Sequence, residues 1–303
     1  MPEIIKKRSE ILFLYDVKDA NPNGDPVDEN KPRIDEETGV NIVTDVRLKR
    51  TVRDYLYEYK GQEVFIREIR KEDGKLKTKE ERLNDFGDAS IIDRCIDIRL
   101  FGSTTAVEDR TIALTGPVQF KYGRSLHKVD LTYLKGTTVM PSGAEKKQGT
   151  FTERYILPYS LIVFYGVVNE NAAKTQGIPL TEEDVDLMLD AIWNGTKNLI
   201  SGSKFGQMPR LLSQIIYKEN QNFHIGELDK LVSIKSEKPD EAIRDISEVK
   251  IDITELIETL TKHADKIEKI RFKCDDRVKF IKDGQDIDIK IAFSGFSLVE
   301  LVF

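Results

Sequence analysis

Lys49, Arg50 and Arg53 lie within little more than one helical turn of each other. On a helix such residues present positive charge at a pitch close to that of a stretched nucleic-acid backbone, which suits them to successive phosphates. Charged helix faces are also commonly no more than solvated surface, so this comb needs supporting context. A second polar cluster, Asn21-Pro-Asn-Gly-Asp25, follows an apolar run. With Asp19, Asn21, Asn23 and Gly24 it matches the opening of an EF-hand-type calcium loop. The match then fails, because Asn30 stands where a bidentate Glu is needed, Pro22 interrupts the loop and a strand leads into it. An Asx-rich turn remains, its polar groups either satisfying their own backbone or offered to a sugar or phosphate. Gly102-Ser-Thr-Thr105 and Ser201-Gly-Ser-Lys-Phe-Gly206 read as glycine and hydroxyl loops able to approach phosphates through N–H groups. Neither ends in the Gly-Lys-Ser/Thr of a P-loop, so nucleotide hydrolysis has no support. Phe101 and Phe205, each followed by Gly, are open to two readings, base-stacking platform or core anchor.

The elements that must position these residues follow from periodicity. Glu10 to Lys18 is an apolar run of strand length that ends in the Asn/Pro/Gly turn. A long polar loop continues to about Asn41. Thr44 is a helix N-cap, and Leu48, Val52, Tyr55 and Tyr59 form the apolar stripe, leaving Lys49, Arg50 and Arg53 on a separate arc. Val64 to Leu83 reads as a charged surface excursion with a hairpin tip at Glu72–Lys75. Ile112 to Phe120 and Tyr155 to Val168 read as strands, the second central, with a projecting hairpin over Lys135–Arg154 between them. Thr181 and Asp184 open a second helix with a capping-box pattern, and Leu211 to Tyr217 is a further strand. Beyond Gln221 the pattern gives one amphipathic stretch (Ile253, Leu256, Ile257, Leu260) and late strands at Ile287–Phe293 and Phe296–Phe303, packed back on the first sheet. The order strand, helix, strands, helix, strand predicts an α+β, ferredoxin-like (RRM-like) fold.

Composition narrows the function classes. The chain has 303 residues, 39% hydrophobic and 33% charged, with a net charge of -6. That allows a real core and no bilayer span, since the most apolar run, Ile156–Val168, is broken by Pro158 and Gly166. The expectation is a cytoplasmic protein without secretion signal or membrane. Cys95, Cys274, His127, His224 and His263 are scattered, which signals neither disulfide, metal, cofactor nor a catalytic base. Net acidity hides a local stretch from Ala191 to Lys218 that carries Lys197, Lys204, Arg210 and Lys218 and no acid.

Several motifs occur in one order: Asn21-Pro-Asn-Gly-Asp25, Thr44-Asp45 with Leu-Lys-Arg-x-x-Arg53, Arg99-Leu-Phe-Gly102, Gly116-Pro-Val-Gln-Phe120 with Arg124-Ser125, and Lys204-Phe-Gly-Gln-Met-Pro-Arg210. Together they resemble the backbone subunit of type I CRISPR Cascade complexes, closest to the subtype I-B branch, within the RAMP superfamily. The resemblance implies one domain over 1–303 with insertions: a palm over approximately 8–61, 91–134 and 155–220, a finger-like insertion over approximately 62–90, a thumb-like hairpin over approximately 135–154, and a C-terminal extension over 221–303. It implies no enzymatic activity and no cofactor. The implied partners are guide RNA, other copies of the chain, other Cascade subunits and target DNA paired to the guide. Residues implied to contact the guide are Asn21, Asn23, Lys49, Arg50, Arg53, Phe101, Gly102, Ser103, Lys121, Arg124, Ser125, Met140, Lys146, Lys147, Lys204, Phe205, Gly206 and Gln207. Met140 or Phe151 is the candidate apolar wedge of the thumb. Related type III subunits cut RNA with an early-loop Asp, which makes a metal-dependent ribonuclease using Asp25, or Asp28, the alternative.

Overall fold

An unbroken run of apolar residues in a strand means that both of its faces are covered, and the computed structural model shows this for Ser9–Ala20 (β1). The structure describes residues 4–87, 90–107, 110–137 and 151–303. The elements used below are, in order after β1, Val40–Val43 (β2), Asp45–Lys60 (α1), Ile96–Phe101 (α2), Gly102–Val107 (β3), Arg110–Thr115 (β4), Val118–Phe120 (β5) and Gly123–Lys128 (β6). There follow Thr132–Thr137 (β7), Phe151–Val168 (β8), Glu182–Lys197 (α3), Gln207–Tyr217 (β9), Thr254–Lys262 (α4), Ile267–Cys274 (β10) and Leu298–Glu300 (β11).

The central sheet has the order β11-β10-β9-β1-β8-β6-β2, with β5 and β7 also paired to β8. All neighbours are antiparallel except β10 and β11, so the sheet is mixed. Register places Phe13 opposite Phe164 on one side and Leu212 on the other. Strand alternation then divides β1. Ile11, Phe13, Tyr15 and Val17 face α1 and α3, where they meet Leu48, Val52, Leu56, Met188 and Ile192. Leu12 and Leu14 face the other way, into a core built with Leu228, Ile251, Leu256, Leu260, Phe272 and Phe293.

The C-terminal segment therefore covers the second face of the sheet, as the sequence led us to expect. Two polar clamps hold it there. The Glu10 carboxylate, fully buried, accepts hydrogen bonds from the hydroxyls of Tyr165 and Tyr217 and from the backbone N–H groups of Ile225 and Gly226. Arg210 bridges Asp16 (2.8 Å) and Asp275 (2.6 Å), which removes it from the free cations of its stretch.

Helix α1 starts at Thr44, whose side chain accepts from Arg47 N, and ends at Gly61 in the left-handed region (φ 63°). Helix α3 starts with the expected Thr181/Asp184 capping box. The charged excursion after α1 carries its own small core, with Phe65 and Leu83 against Ile91, Cys95 and Ile98. Its turn closes through the Arg70–Leu76 bridge.

Three sequence expectations give way here. Tyr59 is exposed rather than part of the core stripe, stacked on Tyr55 at 5.1 Å. Gly102–Thr105 is strand β3, paired with β4 in a hairpin, not a loop. Of the late strand Ile287–Phe293, only Ile287 is strand; Asp288 caps a helical turn over Ile289–Ala292 through its bond from Lys290 N (2.7 Å).

Gly102 has φ 70°, and a Cβ there would lie 2.1 Å from the carbonyl oxygen of Leu114. We expect Gly102→Ala to lower stability by at least about 2 kcal/mol, through strain at a glycine-only backbone plus the clash. Thermal denaturation checks this, and a Tm within a degree or so of the parent's would contradict it.

Candidate nucleic-acid interface

At one end of the central strands β1 and β9, two loops meet the N-terminus of α1. The loop after β1 docks through Asn23, whose Oδ1 accepts from Thr44 N (2.8 Å) and Thr44 Oγ1 (2.9 Å). Asn21 Nδ2 donates to Asn30 O at 2.6 Å and closes the loop on itself. The second loop, before β9, runs beside it. Ser203 O accepts from Asn21 N, and Gly206 O accepts from Lys18 N, both at 2.9 Å. Gly206 needs its φ of 110°, since a Cβ would come within 2.3 Å of Lys18 O.

Across this junction Lys204 Nζ donates to Asn21 O at 2.6 Å. Burial and the positive field of Arg47 bring the Lys204 ammonium down to about 8. Arg47 is itself held below its ordinary value, chiefly by burial. Its Nη2 donates to Thr51 Oγ1 (3.0 Å), while its Nε is sequestered without a partner. Among the described residues neither cation has a carboxylate within ion-pair distance. Two partly buried cations beside each other at a helix N-terminus give this corner a positive potential of the kind that suits an anion. Phe205 projects next to it and is 69% exposed.

The other candidates fare differently. Arg53 is turned inward, 7% exposed, on the fully buried Asp97 (2.8 Å). The comb is thereby dissolved, because α2 supplies a carboxylate to what the helical wheel shows as an outer arc. Lys49 pairs with Asp45 (2.9 Å) and lies over the Phe101 ring; Arg50 pairs with Asp54 (2.7 Å) and Glu68 (3.5 Å). Phe101 is buried under Lys49 and Arg53, which settles its geometry as a core anchor. Gly102 and the buried Ser103 open strand β3. Ser125 is also buried, accepting from Asn41 N and donating to His127 O. Gln207 is buried, donating to Lys204 O (3.2 Å), so it braces the loop. Lys121 sits between Glu227 (3.2 Å) and Asp229 (3.3 Å), and Arg124 reaches Asp35 (3.3 Å). Met140, Lys146 and Lys147 lie outside the described residues, as does the side chain of Phe151.

Asp25 caps its own turn by accepting from Val27 N (3.0 Å) and is paired to Arg33 at 2.5 Å; Asp28 is paired to Lys31 at 2.7 Å. Among the described residues no group of three or more His, Cys, Asp and Glu is placed to hold a metal ion. No helix among them is long and apolar enough to cross a membrane.

Sequence reasoning passed over Arg47. A usable signal was present, because a cation in the first turn opposes the helix macrodipole and is out of place unless an anion joins it.

The arrangement is that of an α+β protein whose sheet is covered on both faces and whose cationic corner, at the end of the central strands, suits the backbone of a polyanion. Residues 7–254 match the family described as CRISPR-associated protein Cas7. The CRISPR-associated protein Cas7 of Haloferax volcanii is 34% identical over 307 aligned residues, covering 90% of this chain and 88% of that protein. The chain belongs to the Cas7 family. Its fold is similar to that of a chain in a CRISPR RNA-guided surveillance complex, with TM-score 0.53 and 15% identity over 88% of each chain. It is also similar to a chain in such a complex described as pre-nicking, with TM-score 0.58 and 12% identity over 97% of this chain and 96% of that one.

Proposed function

We propose that this chain is a guide-RNA backbone-binding subunit that repeats along a CRISPR RNA as part of a cytoplasmic surveillance complex, with no catalytic step of its own. The observation that carries this is the pair of neighbouring, partly buried cations Arg47 and Lys204 at the N-terminus of α1, with Phe205 exposed beside it. Phosphate contacts of this kind carry no sequence information, so one protein serves any guide while base pairing to target DNA reads the sequence. Copies of the chain and the other subunits of a Cascade-type complex, of the I-B branch by motif order, are its protein partners.

The core is read as a ferredoxin-like palm, supported by the antiparallel order β9-β1-β8-β6 with α1 and α3 on one face. The finger is assigned to approximately 62–90, the thumb to approximately 135–154, and the C-terminal extension to 221–303. An RNA-recognition module binds on its open sheet face, and here that face is covered. The grip is therefore assigned to the end of the central strands, where the two loops meet.

Binding should depend on the protonation of Lys204. Its free ammonium titrates at about 8, and a phosphate beside it raises that value. RNA binding then takes up a proton above that pH, and affinity for single-stranded RNA falls by about tenfold between about pH 7 and pH 9. Lys204→Arg, which stays charged throughout, should bind with a flat profile. Fluorescence anisotropy at constant ionic strength measures both, and a flat wild-type profile would contradict the assignment.

A further inference from the structure

Two consecutive residues of β8, just where it emerges from its pairing with β7, touch the two loops of the cationic site separately. Arg154 Nη1 donates to Gly202 O at 3.1 Å. The Tyr155 hydroxyl donates to Glu29 Oε2 at 2.8 Å, and Lys31 Nζ lies 5.2 Å from the centre of its ring. Consecutive strand residues project to opposite sides, so one side chain reaches the loop before β9 and the other the loop after β1. Tyr133 on β7, opposite Tyr155 in the pairing, packs its ring at 5.1 Å and fixes the tyrosine in place.

Both contacts lead to Lys204 by short covalent and hydrogen-bonded paths. Glu29 adjoins Asn30, whose carbonyl holds the Asn21 side chain, and the Asn21 carbonyl holds the Lys204 ammonium. Gly202 adjoins Ser203, whose carbonyl accepts from Asn21 N. The loops are joined to each other at Asn21–Ser203, Asn21–Lys204 and Lys18–Gly206, and each is held separately by the strand. We propose that Arg154 and Tyr155 are positioning residues for the phosphate site, acting as a spacer that fixes the separation of the two loops and so keeps Lys204 beside Arg47. This rests on the reading of Lys204 and Arg47 as the RNA phosphate site.

The full chain is titrated with a fluorescently labelled single-stranded RNA of mixed sequence, using Tyr155→Phe, Glu29→Ala, their combination, Arg154→Ala, Tyr155→Phe/Arg154→Ala, Lys204→Ala and Arg154→Ala/Lys204→Ala. Tyr155→Phe and Glu29→Ala should each weaken binding by about threefold, and their combination no further, since both remove the same hydrogen bond. Arg154→Ala should weaken wild-type binding by about threefold yet change the Lys204→Ala background by less than about twofold. A merely structural role would leave the pH profile where it is. Loosening the loops admits water to Lys204, so Tyr155→Phe/Arg154→Ala should move the midpoint of the binding profile upward from about 8 toward the ordinary lysine value. Additive losses with an unmoved midpoint would overturn the spacer while leaving the phosphate site standing. Equal binding by wild type and Lys204→Ala would overturn the site itself, and the spacer with it.

Discussion

Replacing Arg47 and Lys204 together by alanine is expected to weaken single-stranded RNA binding by about a hundredfold, roughly tenfold for each phosphate-holding cation. The logarithmic salt dependence should flatten by roughly 0.7 for each charge removed, as counterion release from a single strand requires. Folding should survive, because among the described residues neither cation has a carboxylate within ion-pair distance whose charge its loss would leave buried. The comparison pair is Lys49→Ala/Arg50→Ala, whose charges Asp45 and Asp54 already neutralise. That pair should stay within about twofold of wild type, because each of these cations is already held by a carboxylate four residues away. Anisotropy titrations over a range of salt make the test. A large loss in the comparison pair with little loss in Arg47→Ala/Lys204→Ala would return the phosphate contact to the outer arc of α1.

Arg53→Ala is expected to act on stability instead. Asp97, fully buried, accepts from Arg53 Nε (2.8 Å), Phe65 N (2.8 Å) and Ile66 N (3.1 Å). Removing the guanidinium leaves a buried carboxylate with only its two backbone donors, at a cost of about 3–5 kcal/mol. For a chain of this size the melting temperature should fall by roughly 10 °C. The folded fraction should keep its RNA affinity, and adding Asp97→Asn should recover part of the loss. Calorimetry with binding on the same samples separates the outcomes; an unchanged melting temperature with lost binding would make Arg53 a contact residue after all.

These two results divide the cations of α1 in a way the helical wheel does not. Periodicity told which residues share an arc, and Leu48, Val52 and Tyr55 were read correctly as core. It could not tell what another part of the chain brings to the opposite arc. Asp97 arrives on α2 and claims Arg53, so the comb loses a member to a tertiary contact. Phe101 followed the same logic, buried where the sequence left stacking and packing equally open. Strand β1 was legible because a sheet covered on both sides imposes continuous apolarity, and α1 because Thr44 is a strong cap. Ile287–Phe293 misled because apolar alternation over so short a stretch also fits one helical turn, and the capping Asp288 was the better signal.

The family was legible from motif order, whereas the function of individual motif residues was not. Gly102, Ser125 and Arg210 lie in matching motifs and serve packing or ion pairing in the structure. Lys204, Phe205 and Gly206 lie in another and do come together at the candidate site. Arg47 sits two residues before the comb and is the cation beside Lys204 there.

The central claim, that the chain grips guide RNA as a repeating backbone subunit, is tested most directly by nuclease footprinting of the RNA that travels with the untagged protein on purification. The account predicts protection at regular intervals along one repeat-spacer RNA class. RNA cut at those intervals, or RNA of every class protected without period, would contradict it.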